Sequence, residues 1–354
     1  MELVLIIKRN GGNFGYKGIT MQINKQTIDD ITILKVVVGS TAYGFATAQS
    51  DIDIKGVAIV PDLGYYYGFN KHFEQYEEKE PNDLTIYDIR KFFQLARAVN
   101  PSIIEMLYID KPEHVLKITD AGKDLKFIRD QFLSMKVRHT YSGYSFAQLK
   151  KIKSHRAWLL NPPDHYPTRE EFGLDSKEAI PFQKLQAMNK LINDGELKDI
   201  NIQQYVTKEN NYRNACQHYK QYEEWKRTRN PKRAELEAKY GYDCKSAVHL
   251  VRLMKQGLEI METGKVIVDR PDAQELLGIR NGEWSYDRLI GFADEMDAKM
   301  AELYEHPEKC AVPYQPDEEE LNKICTAIVD DEMNRREMDR IRWIQKNFKE
   351  IDSK

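Results

Sequence analysis

Two β-rich runs, Ile31 to Val38 and Asp51 to Val60, flank a short polar segment that opens with Gly39-Ser40 and carries a second glycine at Gly44. Period-two alternation and β-branched enrichment predict strands for both runs, with a turn between them. A third run, Leu84 to Ile89, leads into Arg90 to Val99, where Phe92, Phe93, Leu95, Ala96 and Val99 recur at helical spacing. A small mixed sheet with flanking helices accounts for the residues up to about Asp110. Beyond that point β-type alternation largely disappears. Helical periodicity runs through 127–153, 181–194, 234–239, 246–262, 285–305 and 317–348 instead. Stretches around 161–168 and 230–232 contain proline and read as breaks, and Gly264 to Arg270 reads as a short strand or an extended arm. The pattern predicts an α+β protein in three parts: residues 1–20 as an amino-terminal extension, 21–110 as a small mixed-sheet domain and 111–354 as a mainly helical domain.

A chain of 354 residues is long enough for two compact units. Charged residues make up 31% and the mean hydropathy is -0.64, which places the chain among water-soluble globular proteins. With 53 basic against 56 acidic side chains the net charge is -3, so any attraction for a polyanion has to be local. The four cysteines, Cys216, Cys244, Cys310 and Cys325, lie far apart with no Cys-x-x-Cys pair, which predicts reduced thiols and no zinc framework. Leu3 to Ile7 is too short for a signal-peptide core or a membrane span, so a cytoplasmic location is expected. No membrane association is expected, and no protein partner can be inferred.

The candidate chemistry lies in the first two strands. Alternation puts Asp51 and Asp53 on one face and Ile52 on the other. Two carboxylates so placed repel each other, and a hard divalent cation carrying substrate phosphates relieves that repulsion. Magnesium is the expected ion, with manganese as an alternative. Gly39 lets backbone approach a triphosphate, and Ser40 offers its hydroxyl and N–H to phosphate oxygens.

Gly39-Ser40 followed by Asp51-Ile52-Asp53 resembles the polymerase-beta nucleotidyltransferase superfamily. The longer stretches Gly39 to Thr47 and Ser50 to Val57 resemble, more narrowly, the nucleotidyltransferase family associated with RNA-repair gene clusters and also found in phages. Asn100-Pro101, Glu105 to Leu107, Lys245 to Leu253 and Ile279 to Glu283 resemble that family's later blocks, so the likeness runs from about Ile33 to Arg288. The resemblance implies transfer of a nucleoside monophosphate from an NTP to an acceptor hydroxyl, with an RNA or tRNA end as the acceptor. The alternatives are transfer to a protein or small molecule, or a non-catalytic nucleotide- or RNA-binding module. Lys55, where the family often carries Arg, joins Gly39 and Ser40 among the nucleotide-binding residues.

A third metal-binding carboxylate is expected on a neighbouring strand. Asp83 is the first choice. Asp88, on the opposite face, is placed to cap the helix that begins near Arg90, and Glu105 is a more distant candidate whose other role is a structural hydrogen bond. In the helical part Lys245, His249 and Arg252 fall within about 60° of one another around a helix, forming a candidate phosphate-binding face; a solvated, packed helix surface is the plain alternative. Arg280 and Glu283 read as a buried ion pair or a helix-start feature. The stretch Lys136 to Trp158 mixes cations with aromatics in a way suited to phosphate contact and base stacking. The basic run Lys226 to Arg233 reads as either an RNA-tracking segment or an ordinary surface loop.

Overall fold

The computed structural model describes residues 23–47, 50–67, 73–80, 82–175 and 179–351, so the amino-terminal extension expected at 1–20 lies outside the described residues. These residues form an α+β architecture with one five-stranded mixed sheet, ordered β3-β4-β2-β1-β5. The elements run α1 (Lys25–Ile31), β1 (Thr32–Val38), α2 (Gly39–Ala42), β2 (Asp53–Ala58), α3 (Leu63–Tyr67), β3 (Gln75–Glu78), β4 (Asp83–Asp88), α4 (Ile89–Arg97) and α5 (Pro101–Leu107). After these come β5 (Val115–Ile118), α6 (Asp120–Phe127), α7 (Val137–Leu160), α8 (Phe182–Asn193), α9 (Ile200–Thr228) and α10 (Pro231–Tyr240). The chain ends with α11 (Cys244–Thr263), α12 (Ala273–Arg280), α13 (Tyr286–Glu305) and α14 (Glu318–Ile351).

The chain divides into two compact units. The first takes the described parts of Met1–Tyr141, Gln256–Ala273 and Lys299–Lys354, and holds the sheet; the second takes Ser142–Lys255 and Gln274–Ala298 and is helical.

In the first unit β1 is buried at every position except Lys35, as expected for a strand covered on both faces. It pairs antiparallel with β2 on one side and β5 on the other, while β2 pairs parallel with β4. Ile28 and Ile31 of α1 pack with Ala58, Val60 and Ile86, each worth about 1.5–3 kcal/mol for a large side chain taken out of water. Gly56 has no alternative at its position, because a Cβ there would meet the Leu34 carbonyl at 2.5 Å and Ile86 Cδ1 at 2.6 Å. The sheet therefore includes β5, which lies past Asp110, where the alternation of the sequence fades. Residues 264–270 form no strand. They run as an extended arm whose Arg270 N–H donates to the Tyr43 carbonyl at 3.2 Å.

In the second unit the amino-terminal half of α11 buries Ala247, Val248, Leu250 and Val251. Tyr242 is fully buried and donates its hydroxyl to the Trp284 carbonyl at 2.7 Å. The sequence's expected ion pair between Arg280 and Glu283 does not form. Both stand at the carboxy-terminal end of α12, Glu283 N–H donates to the Gly278 carbonyl at 3.0 Å, and the exposed Glu283 carboxylate folds back over Gly278, a position that only glycine's missing side chain leaves open. The four cysteines are free thiols, and no helix among the described residues is long and apolar enough to cross a membrane.

Candidate active site

The register of three strands builds the site. Asp53 opens β2 opposite Val38, the last residue of β1, so the first acid of the strand stands beside the Gly39-Ser40 turn. Asp83 opens β4 and is the parallel partner of Asp53. In-register neighbours on adjacent strands point to the same face about 4.8 Å apart, so Asp53 and Asp83 rise side by side at one end of these two interior strands. Asp51 is exposed in the loop two residues before β2. Ile52 is 46% exposed, so the side chain between the acids stays in solvent rather than entering the core.

Gly39 is required here for two reasons. Its φ is +73°, the left-handed region that costs other residues about 1–2 kcal/mol. A Cβ at Gly39 would also collide with the Asp53 carboxylate. The missing side chain is what lets the turn and the acid share one place.

A buried network lies behind the turn. Tyr43, 7% exposed, donates its hydroxyl to Glu105 Oε2 at 2.5 Å, and Glu105 is 2% exposed. Glu105 is thus a structural acceptor, tied to the Gly39-Ser40 turn by the tyrosine four residues after Gly39. Lys55, two residues along β2 from Asp53, lies within electrostatic reach of Glu105, Asp53 and Asp83. Burial holds its ammonium below the usual range, and the three acids, Glu105 foremost, pull the other way. Sequence reasoning gave Tyr43 no role; its place in the run Gly39 to Gly44 was visible, but its buried acceptor sits 62 residues away in α5.

Asp88 serves elsewhere. It pairs with Ala58 at the far end of β4 and caps α4, accepting from the Arg90 N–H at 2.9 Å, Arg90 Nε at 3.2 Å and the Tyr65 hydroxyl at 3.0 Å. Its oxygens are occupied and 2% exposed, so it is not placed for metal binding.

In the second unit Lys245, His249 and Arg252 all lie on α11. Lys245 and His249 reach solvent, whereas Arg252 is 3% exposed. Crowding around the His249 ring, then the charges of Arg252, Lys245, Arg233 and Lys151, push it down to about 4. Of the basic run 226–233, Arg227 pairs with Glu224, Arg229 with Glu237 and Arg233 with Asp243. Along α7, His155 pairs with Glu237 and Arg156 donates to the Gly241 carbonyl at 2.8 Å. Trp158 is buried. Several of the cations in these two stretches are therefore spent on internal contacts, whereas Tyr144 and Phe146 stay exposed. His155, Glu237 and Asp243 bring possible ligand atoms within 4.8 Å of one another, but Arg229, Lys151 and Arg233 already occupy the two carboxylates and oppose a further cation there.

The acids of the first unit offer what a divalent cation needs: hard oxygen donors, two of them in register and one exposed nearby, beside a turn stripped of its side chain. An uncharacterized 38.9 kDa protein of the nrdC-mobD intergenic region of Enterobacteria phage T4 is 24% identical over 302 residues, covering 75% of this chain and 87% of the phage protein. No solved structure matches the chain. Residues 20–159 match RlaP, the RNA repair pathway DNA polymerase beta family. The later blocks around Lys245 and Ile279 fall outside that segment, whereas β1, the Gly39-Ser40 turn, β2 and β4 fall within it. The candidate site is accordingly the part of the chain that matches a polymerase-beta-like nucleotidyltransferase family.

Proposed function

We propose that the protein is a metal-dependent nucleotidyltransferase that moves a nucleoside monophosphate from an NTP to an acceptor hydroxyl, with an RNA end, such as that of a tRNA, as the acceptor. The observation that carries this reading is the register of Asp53 with Asp83 beside Gly39. Asp51, Asp53 and Asp83 are the metal-binding acids. Held there, divalent cations, magnesium foremost, supply Lewis-acid stabilisation of the attacking and leaving oxygens. The Gly39 and Ser40 backbone and the Ser40 hydroxyl hold triphosphate oxygens, and Lys55 adds positive charge on the same strand. In the second unit Lys245 and His249 act as further nucleotide-binding residues, and the buried Arg252 adds its positive charge beside them.

In the reaction the acceptor oxygen forms a bond to the α-phosphorus while the bond from that phosphorus to the α,β-bridging oxygen breaks. Pyrophosphate leaves with that electron pair, and Asp83 takes the proton of the acceptor hydroxyl. Tyr43 and Glu105 keep the turn in place without touching substrate.

The test incubates the protein with a divalent cation, each α-labelled NTP and mixed cellular RNA, beside an Asp51→Ala, Asp53→Ala variant. Label in RNA that the variant fails to produce is the expected outcome. Asp83→Asn should lower turnover by about a hundredfold or more. Label in protein or small molecules would replace RNA with another acceptor, and equal labelling by the variant would end the catalytic reading.

A further inference from the structure

The second unit gathers more positive charge around one buried acid than that acid can neutralise. Asp243 is 2% exposed, and both its oxygens are engaged. Oδ1 accepts from the Ser246 N–H at 3.1 Å; Oδ2 accepts from the Ser246 hydroxyl at 2.9 Å and faces Arg233 at 3.4 Å and Lys151 at 3.5 Å. These contacts bring one cation from α7 and one from α10 to the start of α11. The side chains of Lys151 and Arg233 remain 38% and 36% exposed, so each keeps donors facing solvent. α11 adds Lys245 in its first turn and His249 about one turn further along. Lys245 is exposed and pairs with no acid among the described residues. The other buried acid close by, Glu237, is taken by Arg229 and His155.

We infer that Lys151, Arg233, Lys245 and His249 form an anion site in the second unit that takes phosphate groups, with Asp243 as its scaffold. This builds on the phosphate-binding role given above to Lys245 and His249, adds two residues that sequence spacing did not connect to them, and does not depend on the metal-binding acids. Its chemistry suits a polyphosphate. Lysine and arginine donors from three helices converge on one place, and charge-assisted hydrogen bonds to phosphate are the strong kind. Crowded cations repel one another, and a bound anion removes that cost. Burial of the imidazole first, and then the charges of Arg252, Lys245, Arg233 and Lys151, depress the titration of His249, so the charged part of that shift is the same repulsion seen from the ring. The phosphates can come from the tail of a nucleotide or from the backbone of a nucleic acid, and both sources present the same oxygens.

The experiment is calorimetric binding to the full chain with metal absent, using inorganic tripolyphosphate in one arm and a short single-stranded RNA without a 5′-triphosphate in the other. Lys245→Gln with His249→Gln removes two solvent-facing members without touching the Asp243 contacts. Lys151→Gln is the second variant, with its fold checked by circular dichroism. Each should weaken binding about tenfold or more. The Asp51→Ala, Asp53→Ala variant should bind like the parent, so loss of catalysis and loss of this site are separate results. Weakening confined to tripolyphosphate assigns the site to a nucleotide tail, and weakening of RNA assigns it to backbone phosphates. A parent protein that binds neither probe, or variants that bind both as tightly as the parent, would overturn the site.

Discussion

Asp53 and His249 show how one residue's neighbours decide its chemistry. Asp53 stands against a glycine whose φ of +73° and missing Cβ leave room for its carboxylate, and its parallel partner is another acid. Such a pair repels unless a cation joins it. His249 has the opposite problem, because partial burial of an imidazole that still reaches solvent and the positive charges of Arg252, Lys245, Arg233 and Lys151 disfavour its protonation. Its value of about 4 lies below the ordinary 6.5 that the unfolded chain would show. Between those values the unfolded chain binds the proton and the folded one does not. The contribution of His249 to stability is therefore fully present above about 6.5 and is lost as the pH falls towards about 4. The urea midpoint of the parent should drop more between about pH 7 and about pH 5 than that of His249→Gln. Equal drops would mean that the ring titrates normally. In the parent, the ring's proton resonances should also move to a higher titration point when tripolyphosphate is added.

At the level of elements, strand register matters more than strand identity. β4 carries an acid at each end, and pairing with β2 sends Asp83 to the side of Asp53 and Asp88 to the side of Ala58. The far end then serves α4, whose first turn takes Asp88 as its cap. Asp88→Ala should remove the cap and leave Arg90, stacked between the Tyr65 and Tyr66 rings, without its carboxylate. Loss of an N-cap costs about 1 kcal/mol and loss of a buried acceptor about 1–3 kcal/mol more, so chemical denaturation should show a fall of roughly 2–4 kcal/mol. A fall below about 0.5 kcal/mol would mean that the cap is replaceable by water. Local pattern made much of this legible. Alternation located β1, β2 and β4, apolar spacing located α4 and α8, and the cap signal at Asp88 was read from the sequence. Other features were not legible for physical reasons. The 29-residue α9 is polar on most of its surface, so it carries no clean apolar stripe. β5 is only four residues long, and β3 is a short, largely exposed edge. The link from Tyr43 to Glu105 and the convergence of Lys151 and Arg233 on Asp243 depend on residues far apart in the chain, which no local period reports. Short spacing made the approach of the Gly-Ser turn to Asp53 legible, whereas Asp51, expected on the same strand face as Asp53, lies in the loop before β2.

Across the whole molecule a net charge of -3 hides a separation of roles. The register pair Asp53 and Asp83, beside Gly39, belongs to the first unit, and the cations that meet at Asp243 belong to the second. Apolar packing predicts that the first unit folds without a metal. Its sheet is held by apolar residues such as Ile33, Leu34, Val36, Val57 and Ile86, while Asp51 and Asp83 are exposed at one end of its strands. This differs from a structural metal site, where chelation unfolds the chain because binding energy is folding energy. A chelator should therefore abolish turnover and leave the circular dichroism spectrum unchanged. A cation that binds only the folded state still adds stability by mass action, about 2.7 kcal/mol at a hundred times its Kd. Raising magnesium should accordingly raise the unfolding midpoint of the parent and leave that of the Asp51→Ala, Asp53→Ala variant where it stands. An equal rise in both would place the cation elsewhere. Unfolding on chelation would make the metal structural and remove the distinction between a sheet built on apolar packing and a metal site added at one end of its strands.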